Sequence, residues 1–263
     1  MFFTLLRHEL RQSFRSLLIW TACIAFFIVI CIALYPSMKG EMDQVGELFS
    51  SMGAFSSAFG LDRLNFGSLI GFYAVECGNI LGLGAALFAA MIGITALSRE
   101  ENGHTAEFLL TQPVSRFSIV SSKLASVLLQ VMVINLISGV SAVLTMLCIG
   151  EPIDWKPLLL LNLSYLLVHL ELACITFCIS AFCSRNNPGI GLGLAVALYF
   201  INIVANISAE AKNIKYLTPF AYCEGADIVT KEALDGTLIA IGMGIAAVCV
   251  ATAYAKYLRK DIR

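Results

Sequence analysis

Six apolar runs, each long enough to cross a bilayer, leave this chain few ways to fold. They extend from Ser16 to Leu34, Ser68 to Leu97, Phe117 to Ile149, Pro157 to Phe182, Gly189 to Ile207 and Thr237 to Tyr257. A hydrocarbon core of ~30 Å is crossed by about 20 residues of helix rising ~1.5 Å each. Lipid offers no partner for a free amide, so such runs must satisfy their backbone internally as helices. Composition agrees: 59% of the 263 residues are hydrophobic and 13% charged, with mean hydropathy +0.84, far from a soluble domain. The expectation is an all-α membrane protein with six transmembrane helices forming one domain over residues 1–263. The net charge of −1 gives no basic field for nucleic acid, and no nucleic-acid partner is expected.

Charge sets the orientation. With both ends of the chain placed inside, eleven of the 17 Lys and Arg fall on inner segments: Arg7, Arg11, Arg15, Arg99, Arg116, Lys123, Arg185 and the tail 258–263 with Lys256 just before it. Six fall on outer loops, so both termini are expected to be cytoplasmic. Residues 1–15 place Phe3, Leu6, Leu10 and Phe14 on one helical face and Arg7, Arg11 and Arg15 on another. Two readings fit: an interfacial helix in the headgroup layer, or a plain basic flank to the first run. Pro36 is expected to close that run. In the outer loop 36–67, Met38, Met42, Val45, Phe49 and Met52 recur at helical spacing and predict one or two short surface helices. The basic residues before the first run make it its own targeting signal rather than a cleaved leader.

The polar segment after the second run, SREENGHTAEFLLTQPVSRFSIVSSK from Ser98 to Lys123, is amphipathic. A short helix ending at Pro113 would carry an apolar ridge of Ala106, Phe108, Leu109 and Leu110, flanked by Glu100, Glu101, Glu107 and Arg116. Such a ridge fits a protein cleft, and it equally fits an amphipathic helix lying on headgroups.

No phosphate loop, HExxH, GxSxG or Gly-rich dinucleotide turn is present, so nucleotide energy would have to come from another chain. No cofactor or metal is expected in this one. Nine cysteines lie mostly within apolar runs without CxxC spacing and read as small apolar residues. The intramembrane polar residues are Glu76, Asn135, His169, Glu171 and Asn202. Ionisable groups in lipid normally face protein or water. His169 and Glu171, two residues apart, point about 200° apart on a helix and cannot line one site together. Across helices, Glu76 with His169 or Glu171 would suit a proton relay in a secondary transporter or channel working without ATP. Gly78, Gly82 and Gly84 in the second run, and Gly189 with Gly193 in the fifth, are expected to admit close helix approach.

Glu101, Gly103, Thr105, Ala106, Glu107, Phe108, Leu109, Leu110, Pro113, Val114, Ser115, Arg116 and Lys123 resemble the segment between helices 2 and 3 of ABC-2 type transporter permeases, where a Glu-rich GTxExLLxxPVSR pattern precedes a lysine. His104 stands where many members pass directly from Gly to Thr. HELRQSFRSLLIW from His8 to Trp20, and Thr218, Pro219, Phe220, Ala221 and Tyr222 before the sixth run, are similar to the same family, so the likeness covers nearly the whole chain. It implies the permease of a bacterial ATP-binding-cassette exporter in the cell membrane. A soluble P-loop ATPase would bind ATP and Mg, and a second permease chain, identical or homologous, would complete the pathway. Segment 98–116 would be the coupling helix, with Phe108, Leu109 and Leu110 as anchors, Glu101, Glu107 and Arg116 as polar rim, Thr105 within the motif and Pro113 as the stop. Residues 16–97 would carry helices 1 and 2, and 117–257 helices 3 to 6. The resemblance favours export, and the apolar pathway suits an amphipathic peptide, drug or lipid-like substrate.

Overall fold

The computed structural model describes residues 2–50, 53–61, 63–99, 114–207 and 210–260, and all its regular elements among these are helical. The helices are α1 (Phe2–Ser50), α2 (Ala54–Ala58), α3 (Leu69–Ala96), α4 (Arg116–Ile149), α5 (Trp155–Phe182), α6 (Pro188–Ile207), α7 (Gly225–Lys231) and α8 (Gly236–Arg259). Two 3-10 helices, Glu210–Leu217 and Pro219–Cys223, lie between α6 and α7. α1, α3, α4, α5, α6 and α8 are each long and apolar enough to cross a membrane, within one or two residues of the runs read from the sequence apart from α1.

α1 departs from the expectation. It runs unbroken from Phe2 through the first apolar run and past Pro36 to Ser50, so neither a separate N-terminal helix nor a proline stop is observed. Proline in a helix forfeits one backbone bond and costs about 3 kcal/mol. The flanking turn is held from outside. The Tyr35 hydroxyl donates to the Gly67 carbonyl at 2.7 Å, its ring lies 5.4 Å from that of Phe72, and Lys39 pairs with Glu151. Ser37 Oγ also donates to the Leu34 carbonyl at 2.7 Å. Ile24, Ile28, Ile32 and Tyr35 form the buried stripe of α1, while Phe26, Phe27 and Leu34 face outward. Between α1 and α3 the described short helix is α2.

Burial ranks the spans. In their most apolar windows α3 is 67% buried and α5 56%, against 22% for each of α1, α6 and α8, so α3 and α5 form the centre. α3 packs against α5 and α6 and also touches α1 and α4, while α1 lies along α4 and α8 along α5. Ser68 caps α3 by accepting from Gly71 N at 3.1 Å. One turn later Tyr73–Cys77 widens into a π-turn, a device that re-aims the side chains beyond it. The close contacts of α3 depend on glycine. A Cβ on Gly93 would collide with the Thr176 hydroxyl and lie 2.7 Å from the Ala173 carbonyl of α5, and one on Gly78 would strike the Tyr165 hydroxyl.

In α6 the close approach is made at Gly191, where a Cβ would come within 2.6 Å of the Ala90 carbonyl. Gly193 faces open space and Gly189 meets only the Asn187 side chain, so the expected pair is displaced. A Gly-x-Gly-x-Gly run puts successive glycines about 200° apart, and the middle one faces α3.

Candidate functional site

The polar groups gather at three levels. At the end of the bundle bearing the start of α1 and the end of α8, residues 100–113 leave α3 and return to α4. Glu101, Thr105, Glu107, Phe108, Leu109, Leu110 and Pro113 lie outside the described residues. Their two anchors are well defined. Leu97 N and Ser98 N both donate to Ser180 Oγ of α5, at 3.0 and 3.2 Å, and Ser98 Oγ donates to the Ile94 carbonyl. On the return, Ser115 caps α4 through Ser118 N, and Arg116 donates to the carbonyls of Lys260, at 2.6 Å, and Leu258. Arg116 therefore ties the start of α4 to the last turn of α8, where carbonyls lack helical partners. The Lys260 ammonium reaches the Cys183 carbonyl after α5.

Lys123, two turns further into α4, is 1% exposed and pairs with Glu9 of α1 at 2.8 Å. In the sequence Lys123 closes the pattern of segment 98–123 and Glu9 belongs to the His8–Trp20 stretch. Their pairing joins two of the three regions on which the family likeness rests, and a charge that deep needs such a partner.

At mid-depth the expected carboxylates and histidine are kept apart. Fully buried His169 uses both ring nitrogens, Nε2 to the Gly82 carbonyl at 3.0 Å and Nδ1 to Asn135 at 2.9 Å, so it bonds α5 to α3 and α4. A carbonyl only accepts, so Nε2 carries a proton. Glu171, on the other face of α5 as the 200° argument requires, accepts from the Tyr222 hydroxyl at 2.8 Å. Gly242 of α8 makes room, since a Cβ there would collide with the Glu171 carboxylate. Burial pushes the Tyr222 hydroxyl far above its ordinary pKa, so it stays a donor. Glu76 sits in the π-turn with its side chain exposed on the outside of the chain and makes no hydrogen bond or ion pair among the described residues. Glu76, His169 and Glu171 thus share no hydrogen bond. Among the described residues no group of three or more His, Cys, Asp or Glu could hold a metal.

At the far end Asn202 of α6 meets Glu224, a residue the sequence did not single out. Glu224 accepts from Asn206 Nδ2 at 2.7 Å and from Asn202 Nδ2 at 3.5 Å. Thr218 positions this corner: its hydroxyl donates to the Leu198 carbonyl at 2.8 Å and accepts from Phe220 N. The Thr-Pro-Phe turn thus ends in a partly buried carboxylate. The available signal was the placement of Glu224 directly after that apolar turn.

A comparison with curated proteins gives no match. The family model described as "ABC-2 family transporter protein" matches residues 3–262. With six membrane-length helices around a central α3 and α5, and a polar segment anchored at both ends between α3 and α4, this chain belongs to the ABC-2 family of transporter membrane proteins.

Proposed function

We propose that this chain is the permease subunit of an ATP-binding-cassette exporter, coupled to a separate P-loop ATPase through residues 98–116 and paired with a second permease chain. Membership of the family over nearly its whole length carries the reading. The anchoring at Ser98 and Arg116 supports the coupling role. A segment fixed at both ends to packed spans passes displacement to them instead of absorbing it. With both termini cytoplasmic, that segment faces the ATPase. ATP and Mg belong to the partner, the localisation is the bacterial cell membrane, and the apolar spans favour an amphipathic peptide, drug or lipid-like substrate.

Exposed Glu76 supports the second permease. A carboxylate in a span costs about 2.5–3.5 kcal/mol near the helix centre if it faces lipid, so protein or a water-filled path is expected to cover it. Glu76→Ala is predicted to leave the purified chain as stable as the parent while reducing transport in reconstituted vesicles. Parental transport rates in that variant would remove Glu76 from the pathway.

The class is tested by mild affinity purification of the tagged chain from its native membrane, with mass spectrometry and vanadate-sensitive ATP hydrolysis on the eluate. A co-purifying P-loop ATPase is expected. Recovery of the chain alone without hydrolysis would overturn the reading. The docking ridge is tested by Leu109→Asp with Leu110→Asp. Charged groups cannot fill an apolar cleft without losing hydration, so the ATPase should be lost from the eluate while membrane insertion is kept. Unchanged association would remove the ridge from the interface.

A further inference from the structure

A small cavity of about 60 Å³ lies where α3, α5, α6 and the Thr-Pro-Phe corner meet, bounded on its polar side by Asn79, Tyr165, Tyr199, Asn202 and Glu224. A water needs only ~10–15 Å³ of probe-occupied space, so the cavity has room for a guest at least as large as one water. Glu224 also lines a wider, charged vestibule of about 630 Å³ at the far end, bordered by Arg63, Lys215, Lys231, Asp227 and Asp235. The carboxylate therefore stands at the neck between the two.

The cavity is rich in unused acceptors. Asn202 is 7% exposed and its Oδ1 has no hydrogen-bond partner. Tyr165 is 3% exposed, and among the described residues its hydroxyl makes no hydrogen bond; it stands over Gly78, where a Cβ would collide with it. Glu224 uses Oε2 for both carboxamides and leaves Oε1 unbonded, beside Gly60. Asn79 Oδ1 accepts from the Tyr199 hydroxyl at 2.8 Å and keeps a second lone pair. Native interiors seldom leave buried polar atoms unpaired without an occupant. The neighbouring cation does not supply one: Arg63 is engaged by Asp227, which also holds Lys231 at 3.2 Å. Glu224 has no ion pair among the described residues.

We infer that this cavity binds a small monovalent cation, either an alkali ion or the primary ammonium group of a larger solute entering from the vestibule, with Glu224 supplying the counter-charge and Asn202, Tyr165 and Asn79 the oxygen ligands. One carboxylate matches one positive charge. Hard divalent ions gather more anionic oxygens than this. A primary ammonium brings three donors for oxygens that now lack one, whereas a quaternary ammonium has no donor and is too large. Burial raises the Glu224 carboxyl above the usual carboxylate pKa, with partial relief from Asn206, Arg63 and Asn202 and opposition from Asp227. The empty site therefore holds its proton to higher pH than an exposed glutamate. Cation binding displaces that proton, so affinity falls as pH drops through the raised pKa. Tyr165, Tyr199 and Cys223 also face the carboxylate, and burial pushes the Cys223 thiol up, so it stays neutral across that range.

The site belongs to a single chain and needs neither ATPase nor second permease, so its test stands apart from the transport reading. The full chain, purified in detergent, is titrated with methylammonium, sodium or potassium chloride at ionic strength held constant with tetramethylammonium chloride, and thermal unfolding is followed. A saturable rise in the midpoint is expected with at least one of the three, weakened at least tenfold in apparent affinity by Glu224→Gln and measurably by Tyr165→Phe. A response to methylammonium alone assigns the site to a solute's ammonium group; a response to an alkali ion assigns it to the ion. If Glu224→Gln does not fold, Tyr165→Phe and equilibrium binding of radiolabelled methylammonium and sodium to the parent chain decide. No saturable response to any of the three, or an identical response in the folded variants, overturns the proposal.

Discussion

Replacing Lys123 with methionine should lower the stability of the purified chain by about 3–5 kcal/mol, the usual cost of leaving one partner of a buried ion pair uncompensated. Lys123 is 1% exposed and Glu9 13%, with 2.8 Å between Nζ and Oε1, so removal of the ammonium strands a carboxylate between α1 and α4. The double variant Lys123→Met with Glu9→Gln removes the stranded charge and should regain part of the loss. Denaturant or thermal unfolding of the four forms measures the coupling. A single variant indistinguishable from the parent would show that the pair does not hold the two helices together. Because Lys123 lies two turns into α4 from Arg116, where the proposed coupling segment ends, the loss should reach ATPase association as well, and more weakly with the double variant.

Gly93→Leu should be at least as damaging. The obstacles to a side chain there are the Thr176 hydroxyl and the backbone of Ala173 and Phe177, and a helix backbone cannot rotate away as a side chain can. Overpacking ordinarily costs ~1–3 kcal/mol. At the contact between the two most buried spans the cost should lie at or above the top of that range, seen as loss of monodisperse protein after extraction. Gly193→Leu is the control. Its Cβ meets nothing within 4 Å, so the change should fall within the ~0.5 kcal/mol typical of unhindered surface positions. Equal behaviour of the two variants would show that the α3 and α5 contact tolerates separation.

That pair of glycines also shows what could be read from the chain before its structure. The six spans were legible because hydropathy over twenty residues is a one-dimensional property. The expected Phe117 to Ile149 and Pro157 to Phe182 became Arg116–Ile149 and Trp155–Phe182. Which glycine of Gly189, Gly191 and Gly193 meets a neighbour depends on the rotation of α6 about its own axis, which partner helices decide. Likewise the opposed directions of His169 and Glu171 followed from helix geometry, whereas their partners Asn135 and Tyr222 are remote in sequence and were not legible. Proline statistics predicted a stop at Pro36. The contacts of Tyr35 and Lys39 with distant residues outweigh one lost backbone bond, and no local rule contains them. The Glu224 corner was missed because an acid in a far-end loop looks solvated until Asn202 and Asn206 of α6 are brought against it.

The unbroken α1 has a mechanical meaning. Its 49 residues, at ~1.5 Å each, make a rod of about 74 Å, more than twice the ~30 Å it has to cross. Near one end it is pinned by Glu9 to Lys123, and beyond Pro36 by Lys39 to Glu151, which follows α4. Were such a rod to rock together with α4, the bilayer would be its fulcrum. Tilted by about 5° around its middle, it carries its two ends roughly 3 Å in opposite directions. A push on one side of the membrane would then arrive on the other with its sign reversed.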